Sequence, residues 1–312
     1  MQALGSNIPD LFAKAVGRPA LLDEPLKSHS HFAIGGPADL FFEAREESEL
    51  VKAVRFARDS DLPFRVIGAG TNLLFDDRGY RGLILRNAVK GIRLLRDSRR
   101  LAVSAGTGLE DLMGFCLDQE LGGMEFLVGI PGTLGGAVYG NAGAFDQDIG
   151  QILKEARLLS PSGEILRVEA PFFEFSYRHS SLKSRVHILL EAVLEGFARR
   201  RAAIQELLSE YREKRKDRHP PWDTACAGSF FKNPVLPGGE KVPAAFLLDQ
   251  VGAKQMRVGA AAVYSGHANF IINRKNARAS EVRELAAQLK DKVRSRFKVD
   301  LQEEVIFLPA EP

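Results

Sequence analysis

The sequence contains little cysteine, which limits the chemistry that can be expected of it. Only Cys116 and Cys226 occur among the 312 residues, and neither belongs to a CxxC pair or a Cys/His cluster. The spacing therefore predicts neither a disulfide framework nor a metal site such as a zinc centre. We interpret both thiols as structural, because nothing near either residue in the sequence indicates an activated cysteine.

Long apolar runs and a strong net charge are also absent. The first absence argues against insertion into a membrane, and the second argues against nucleic acid as a partner. No stretch of 18 apolar residues occurs, and the N-terminal MQALGSNIPDLFAKAV lacks the features of a targeting segment. We therefore expect a cytoplasmic protein without membrane insertion. The formal charge is only +3, with 43 Lys and Arg interspersed among 40 Asp and Glu. This balance argues against nucleic acid as a partner, but it is compatible with a local basic patch that binds an anion.

The first 88 residues have the pattern of a small α/β unit. Strands are predicted at 39–44, at 64–67, where the apolar residues indicate a buried strand, and at 83–87. Between the first two strands lies a predicted helix that Ser48 can cap. Its apolar positions share one face: Leu50, Val54 and Ala57.

Residues 89–197 form a second predicted lobe, in which short strands, one helix near 109–120 and the turn signals GTG and PSG favour a mostly antiparallel sheet. A helical stretch at 199–218 follows, with eight Lys and Arg and with apolar residues at helical spacing. This stretch is either a solvated linking helix or a basic wall that faces an anionic ligand.

The last predicted lobe mixes helices and strands. A helix is expected near 243–251, strand-like segments lie in VYSGHANFIIN, and Ser280 is expected to cap a final amphipathic helix before the strand VIFL. The apolar face of that helix contains Val282, Leu285, Leu289, Val293 and Phe297.

Two glycine-rich stretches are the strongest indication of a binding site. GAGTN at 68–72 follows a strand, so its N–H groups could meet an anion, although Leu73 stands where the dinucleotide fingerprint requires glycine. GIPGTLGGAVYGNAGAF at 129–145 has six glycines and three alanines, which let backbone approach a flat ligand. A tight turn beside a closely packed helix is the alternative. For the two stretches together, facing each other across a cleft, we favour a diphosphate cofactor.

Seven sequence stretches are together highly specific in their order along the chain, although any one of them alone is not. They cover roughly Ser30 to Leu308. They are SHFAIGGPADLFFEA, VIGAGTNLLFDDRGYRGLIL, GIPGTLGGAVYGNAGAF, FSYRHSSLK, AGSFFKNP, HANFIIN and LQEEVIF. In these stretches the chain resembles the flavoenzyme family of UDP-N-acetylenolpyruvoylglucosamine reductases, also called UDP-N-acetylmuramate dehydrogenases, of bacterial cell-wall synthesis. The short interval between Arg178 and Ser229 resembles the second subtype, which lacks an extra tyrosine-bearing loop.

The resemblance implies an α+β chain. Residues 1–88 and 89–197 would form a two-lobed FAD-binding fold of the vanillyl-alcohol oxidase (PCMH) type, and 198–312 a C-terminal α+β substrate-binding domain. Non-covalent FAD would lie against both glycine-rich stretches. The implied cofactor-binding positions are Ile34, Gly68, Ala69, Gly70, Thr71, Asn72, Leu73, Gly129, Pro131, Gly132, Gly135, Gly136, Ala137, Asn141, Gly143 and Ala144. Thr71 stands where the family usually has serine, which keeps the hydroxyl group.

The resemblance also implies reduction of UDP-N-acetylglucosamine enolpyruvate, with NADPH as hydride donor and FAD as carrier. Arg178 would hold the substrate carboxylate and meet the negative charge that develops beside it. Ser229 would deliver a proton to carbon, and Glu304 would assist near the carboxylate if protonated or bridged. Glu303 stands where the family commonly has proline, and the match to LxxEV selects Glu304.

Other residues match family positions near the substrate: Tyr177, Lys232, Asn233 and His267. His267 is also open to interpretation as a core histidine, and Arg218 or His219 could supply a further phosphate contact. A monomer is expected. Two alternatives stay open: an FAD-dependent oxidoreductase of the same cofactor fold with another substrate, and a non-catalytic sugar-nucleotide or RNA-binding module that uses the basic helix.

Overall fold

The computed structural model describes residues 7–96, 99–216, 219–236 and 238–311. The α-helices are α1 (Ile8–Val16), α2 (Glu47–Asp59), α3 (Leu109–Asp118), α4 (Leu134–Gly140), α5 (Ile149–Ile152), α6 (Arg201–Lys216), α7 (Ala244–Gln250) and α8 (Ala279–Phe297). The β-strands are β1 (Leu21–Pro25), β2 (Pro37–Ala44), β3 (Phe64–Ile67), β4 (Leu73–Phe75), β5 (Tyr80–Asn87), β6 (Ile92–Leu94), β7 (Arg100–Ser104), β8 (Leu121–Gly122), β9 (Gly143–Ala144), β10 (Gln147–Asp148), β11 (Leu153–Leu159), β12 (Ile165–Glu169), β13 (Ile188–Glu195), β14 (Phe197–Ala198), β15 (Arg257–Val258), β16 (Ala261–Val263), β17 (Ile271–Asn273) and β18 (Ile306–Leu308).

The longer strands form two sheets. The first has the order β1-β2-β5-β3 and contains the parallel pair β3–β5. The second has the order β12-β11-β13-β7-β6, and its pairs are antiparallel. This confirms the mostly antiparallel pattern predicted for 89–197. Farther along the chain, β15-β16-β17 form an antiparallel sheet, and β18 pairs with β4 in parallel.

The chain divides into two compact units, each with its own apolar core. Unit 1 comprises the residues up to Leu22 together with Leu40–Ala69 and Gly82–Arg215. One of its two buried clusters includes Leu112, Phe126 and Phe173, and the other includes Phe12, Leu40 and Val54. Unit 2 comprises Asp23–Asp39, Gly70–Arg81 and the residues from Lys216 onward, with one cluster that includes Phe230, Phe231 and Leu285. The three-part division at 88 and 197 stays a prediction.

Two local predictions in unit 1 need correction. The strand at 64–67 is β3, but only Ile67 is buried and Arg65 is exposed, because β3 is the last strand of its sheet. The helix near Ser48 is α2, but its N-cap is Glu46, so the prediction that Ser48 caps it is wrong. The Glu49 carboxylate accepts hydrogen bonds from the N–H groups of Arg45 and Glu46, at 2.9 and 3.3 Å, and so satisfies donors that precede the helix.

The start of α8 in unit 2 is also capped differently from the prediction. Ser280 lies inside the helix, and the Asp77 carboxylate accepts hydrogen bonds from the N–H groups of Ala279 and Ser280, at 2.6 and 3.1 Å. A side chain about two hundred residues away in the sequence therefore caps α8. The predicted apolar face is confirmed: Val282, Leu285, Leu289 and Val293 are buried, and Phe297 packs against the same core. Among the described helices, none has the length and apolar character needed to cross a membrane.

Candidate active site

The predicted site residues are distributed over the two units, and each unit holds a group of them. Unit 1 contains Gly68, Ala69, Gly129, Pro131, Gly132, Gly135, Gly136, Ala137, Asn141, Gly143, Ala144, Tyr177 and Arg178. Unit 2 contains Ile34, Gly70, Thr71, Asn72, Leu73, Ser229, Lys232, Asn233, His267 and Glu304. Ile34 is 3% exposed, and its side chain belongs to the core of unit 2.

In unit 1 the glycine-rich stretch 129–145 is a tight loop followed by the short helix α4. Thr133 is the N-cap of α4, and its hydroxyl accepts a hydrogen bond from the Gly136 N–H at 3.4 Å. Gly129 and Gly132 have φ of 70° and 134°, which favour glycine over any residue with a side chain. A Cβ built at Gly140 would meet nothing within 4 Å. The stretch is therefore a tight turn, with open space beside Gly140 at the end of α4.

The strand end at Gly68 lies directly against this stretch. A Cβ added to Gly68 would collide with the Thr133 hydroxyl oxygen, and it would stand 3.5 Å from Thr133 Cβ. Glycine at 68 thus allows a close approach between two pieces of unit 1. The structure brings Gly68 and the stretch 129–145 together.

Arg178 lies beside the same stretch, on a turn held by Asn141. Ser176 and His179 exchange backbone hydrogen bonds at 3.1 and 3.0 Å, so Tyr177 and Arg178 are the central residues of the turn. The Asn141 amide donates to the Ser176 carbonyl at 2.9 Å. Arg178 has φ of 54°, and its guanidinium donates to the Gly143 carbonyl at 2.9 Å. The positive φ is a strained backbone conformation of the kind that collects at functional sites.

Arg215 of α6 adds a second guanidinium to this region. Its Nη1 donates to the Gly129 carbonyl at 3.4 Å, while its Nε is buried without a hydrogen-bond partner in the part of the chain that the structure describes. Burial and, secondly, the charge of Arg178 lower the pKa of Arg215 to about 10. Two neighbouring cations of this kind favour an anionic ligand.

The sequence singled out the basic stretch 199–218 but not Arg215. Ile204 and Leu208 are buried, and Tyr211 stacks on Phe145 with ring centroids 3.8 Å apart. Arg215 follows Tyr211 by four residues and Leu208 by seven, so it lies on the packed face of α6. That periodicity is the signal that could have identified it. Most of α6 is a solvated helix, and Arg215 is the described residue of this stretch that we assign to the alternative of a basic wall.

In unit 2 the loop Gly70–Asn72 is bonded to the segment that carries Glu304. The Asn72 amide donates to the Glu304 carbonyl at 3.1 Å, and the Ile306 N–H donates to the Asn72 carbonyl at 3.1 Å. Leu73 then begins β4, which pairs with β18 in parallel. A strand rather than a helix therefore follows GAGTN.

Ser229 and Glu304 occupy neighbouring backbone segments. The Glu304 N–H donates to the Phe230 carbonyl at 2.8 Å, and the Phe230 N–H donates to the Asn269 carbonyl at 2.8 Å. The Asn269 side chain bonds both the N–H and the carbonyl of Phe231, at 2.9 and 2.8 Å. Ser229, directly before Phe230, is thus attached to a rigid network that also carries Glu304. Glu303 instead pairs with Lys290 at 3.4 Å.

Two of the remaining predicted substrate residues of unit 2 differ in their contacts: Asn233 makes a hydrogen bond to the backbone, and His267 lies among aromatic rings. The Asn233 carboxamide oxygen accepts from the Ala244 N–H at 3.0 Å, which gives it a role at the start of α7. The ring of His267 lies 6.3 Å from that of His219 and 5.0 Å from Phe270, measured between centroids. Arg218 lies outside the described residues. Among those described, no group of three or more His, Cys, Asp and Glu side chains could hold a metal ion.

Comparisons with known proteins agree over almost the whole chain. Residues 38–169 match the FAD binding domain family, and residues 220–308 match the family described as UDP-N-acetylenolpyruvoylglucosamine reductase, C-terminal domain. The α+β fold class, an FAD-binding domain followed by a reductase C-terminal domain, is therefore confirmed.

Curated relatives and a solved structure give the same result. The chain is 38% identical to the UDP-N-acetylenolpyruvoylglucosamine reductase of Solibacter usitatus, over 97% of this chain and 99% of that protein. It is 37% identical to the reductase of Desulforamulus reducens, over 91% and 92% of the two chains. The crystal structure of the Thermus caldophilus enzyme (MurB) is 31% identical, with a TM-score of 0.75 over 93% of this chain and 98% of that one. The chain therefore belongs to the UDP-N-acetylenolpyruvoylglucosamine reductase family, FAD-dependent oxidoreductases of peptidoglycan precursor synthesis.

Proposed function

We propose that the chain reduces UDP-N-acetylglucosamine enolpyruvate to UDP-N-acetylmuramate with NADPH as the electron source. Reduction of the enol ether adds a hydride to the terminal carbon and a proton to the carbon that bears the carboxylate. The protein must therefore bind a carboxylate and a diphosphate, stabilise charge next to the carboxylate, and supply one proton. The observation that most supports this proposal is the Arg178–Arg215 pair beside the glycine-rich stretch.

The residues present fit FAD as the bound cofactor. Gly140 leaves open space on the glycine-rich surface, and Gly129 and Gly132 hold backbone conformations that favour glycine over residues with side chains. Bound FAD would supply the chemistry that accepts hydride from NADPH and passes it to the substrate. Gly68 and the stretch 129–145, together with Gly70–Asn72, would hold the cofactor through backbone N–H groups, since small residues allow close approach.

Arg178 would bind the substrate carboxylate and stabilise the enediolate that forms as the hydride is transferred. A guanidinium can offer two parallel N–H donors to a carboxylate. The hydrogen bond to the Gly143 carbonyl and the turn held by Asn141 restrict the position of Arg178 before substrate binds. Such preorganisation makes charge stabilisation effective in the transition state.

Ser229 would donate the proton to the substrate carbon, and Glu304 would act next to it. The rigid backbone around Phe230 restricts where the Ser229 hydroxyl can lie, as a proton donor requires. Lys290 engages Glu303, which supports the assignment of the catalytic role to Glu304. Tyr177, Lys232, Asn233 and His267 complete the proposed substrate contacts.

The two half-reactions of Ser229→Ala test this proposal. We expect NADPH to reduce the flavin at a nearly unchanged rate, while reoxidation by the enolpyruvyl sugar nucleotide slows by several orders of magnitude. Ser295→Ala, on the exposed face of α8, is the matched control and should alter neither rate. Equal loss in both half-reactions would contradict the role of Ser229. Flavin reduction without any turnover of this substrate by the wild-type protein would favour another substrate.

A further inference from the structure

His31 of unit 2 holds two carbonyl groups with one ring. Its Nδ1 lies 2.8 Å from the Cys226 carbonyl oxygen, and its Nε2 lies 3.2 Å from the Trp222 carbonyl oxygen. A carbonyl oxygen can only accept a hydrogen bond, so both ring nitrogens must carry a proton to make both bonds. The geometry therefore requires an imidazolium. The Cys226 side chain first, and then the Cys226 and Trp222 carbonyls, raise the pKa of His31 to about 9, against the effect of burial.

The backbone of His31 is bonded to a second segment. Its N–H donates to the Gly70 carbonyl at 3.1 Å, and the hydroxyl of the preceding Ser30 donates to the Leu73 carbonyl at 3.3 Å. His31 thus bonds the loop Gly70–Leu73 through its main chain and the segment 222–226 through its ring. The loop and the segment both belong to unit 2.

The segment 222–226 leads directly to Ser229. The Trp222 side chain is 65% exposed, so it does not anchor the start of this segment. Cys226 forms a backbone bridge with Ile272, and Gly228, with φ of 77°, has open space where a side chain would stand. Three hydrogen bonds hold the chain just before Gly228: the Asn273 N–H donates to the Ala225 carbonyl at 2.8 Å, and the two ring N–H groups of His31 donate to the Trp222 and Cys226 carbonyls.

We propose that His31 is a positioning residue, whose imidazolium fixes the segment 222–226 against the loop Gly70–Leu73 and thereby places the Ser229 hydroxyl. The proposal rests on the proposed role of Ser229 as proton donor. The segment 222–226 carries two titratable side chains, Asp223 and Cys226, and the His29–Glu24 pair, 2.8 Å apart, lies on the segment of His31 itself. The loop Gly70–Leu73 contributes no ionisable side chain.

His31→Phe removes both ring donors and keeps the main-chain bond to Gly70. We expect normal flavin content and normal flavin reduction by NADPH, but reoxidation by the enolpyruvyl sugar nucleotide slowed about tenfold to a hundredfold, as for a catalytic group displaced by about 1 Å. The wild-type reoxidation rate should also fall as pH rises through about 9, and this alkaline decline should be missing in His31→Phe. His29→Phe, in the same segment, is the matched control and should keep the decline.

The outcomes separate this inference from the proposed function. If Ser229→Ala does not slow reoxidation, the role of Ser229 itself fails. If Ser229→Ala slows reoxidation but His31→Phe does not, or slows both half-reactions equally, His31 is not a positioning residue. Should His31→Phe fail to fold, nitrogen NMR of ring-labelled wild-type protein at pH 7.5 decides: two protonated ring nitrogens for His31 support the inference, and a neutral tautomer overturns it.

Discussion

Gly70→Ala tests whether the loop that follows β3 is held by contacts that only glycine allows. Gly70 has φ of 69°, and a Cβ built there would overlap the His29 carbonyl oxygen and stand only 3.0 Å from the carbonyl carbon and 3.3 Å from Ser30 Cα. These neighbours are backbone atoms and cannot rotate away. The substitution must therefore move the loop, the His29–Ser30 backbone, or both.

Two contributions determine how far Gly70→Ala lowers the free energy of unfolding. The left-handed conformation costs about 1–2 kcal/mol for a residue with a Cβ, and overpacking adds about 1–3 kcal/mol. Gly252→Ala is the matched control, because Gly252 has φ of 73° and nothing within 4 Å of an added Cβ. We therefore expect Gly252→Ala to lower the free energy of unfolding by about 1–2 kcal/mol and Gly70→Ala by about 2–5 kcal/mol.

Denaturant unfolding measures both losses, and flavin absorbance after dialysis measures cofactor retention. Gly70→Ala should also release FAD more readily, because the displaced loop carries Thr71 and Asn72, whereas Gly252→Ala should retain it. The reasoning is refuted if the two variants lose the same free energy of unfolding and keep FAD equally well.

Three further results are expected. Asp77→Ala should lower the free energy of unfolding by about 1–2 kcal/mol, because two N–H groups of α8 lose their acceptor, and Asp77→Asn, which keeps the acceptor oxygen, should lose less in the same denaturant titration. Arg215→Met should stabilise the FAD-free protein by about 1 kcal/mol in the same denaturant titration, because it removes a buried charge beside another cation. The same substitution should raise KM for the enolpyruvyl substrate. An unchanged KM would exclude Arg215 from the anion site. The raised pKa of His31 contributes stability that is complete below about pH 6.5 and is lost as pH rises through about 9, so the free energy of unfolding should fall over that window in the wild type but not in His31→Gln.

Local periodicity was sufficient for much of the fold. The strand at 64–67 and the apolar face of α8 are predictable because a short apolar run and helical spacing are properties of neighbouring residues. The caps of α2 and α8 were not, because the first uses Glu46 and Glu49 in place of Ser48 and the second uses Asp77, which is distant in sequence. A preference for serine at N-caps cannot identify an acceptor that arrives through tertiary structure.

The candidate site likewise has features that local sequence patterns predict and features that depend on tertiary structure. Glycine enrichment indicated the loops at 68–72 and 129–145, since dense glycine has few other uses in a chain of this kind. The buried Nε of Arg215 depends on how α6 packs through Tyr211 on Phe145, which no local pattern contains. The double hydrogen bond of His31 likewise joins residues almost two hundred positions apart. The roles of Arg178, Ser229 and Glu304 stay predictions that kinetics must test.

An anaerobic absorbance titration of the purified protein tests the central claim most directly. We expect flavin bands in the isolated protein, their loss on addition of one equivalent of NADPH, and their return on addition of one equivalent of UDP-N-acetylglucosamine enolpyruvate, with UDP-N-acetylmuramate as the product. A protein that stays colourless after incubation with FAD, or reduced flavin that the enolpyruvyl sugar nucleotide does not reoxidise, would contradict the proposed function.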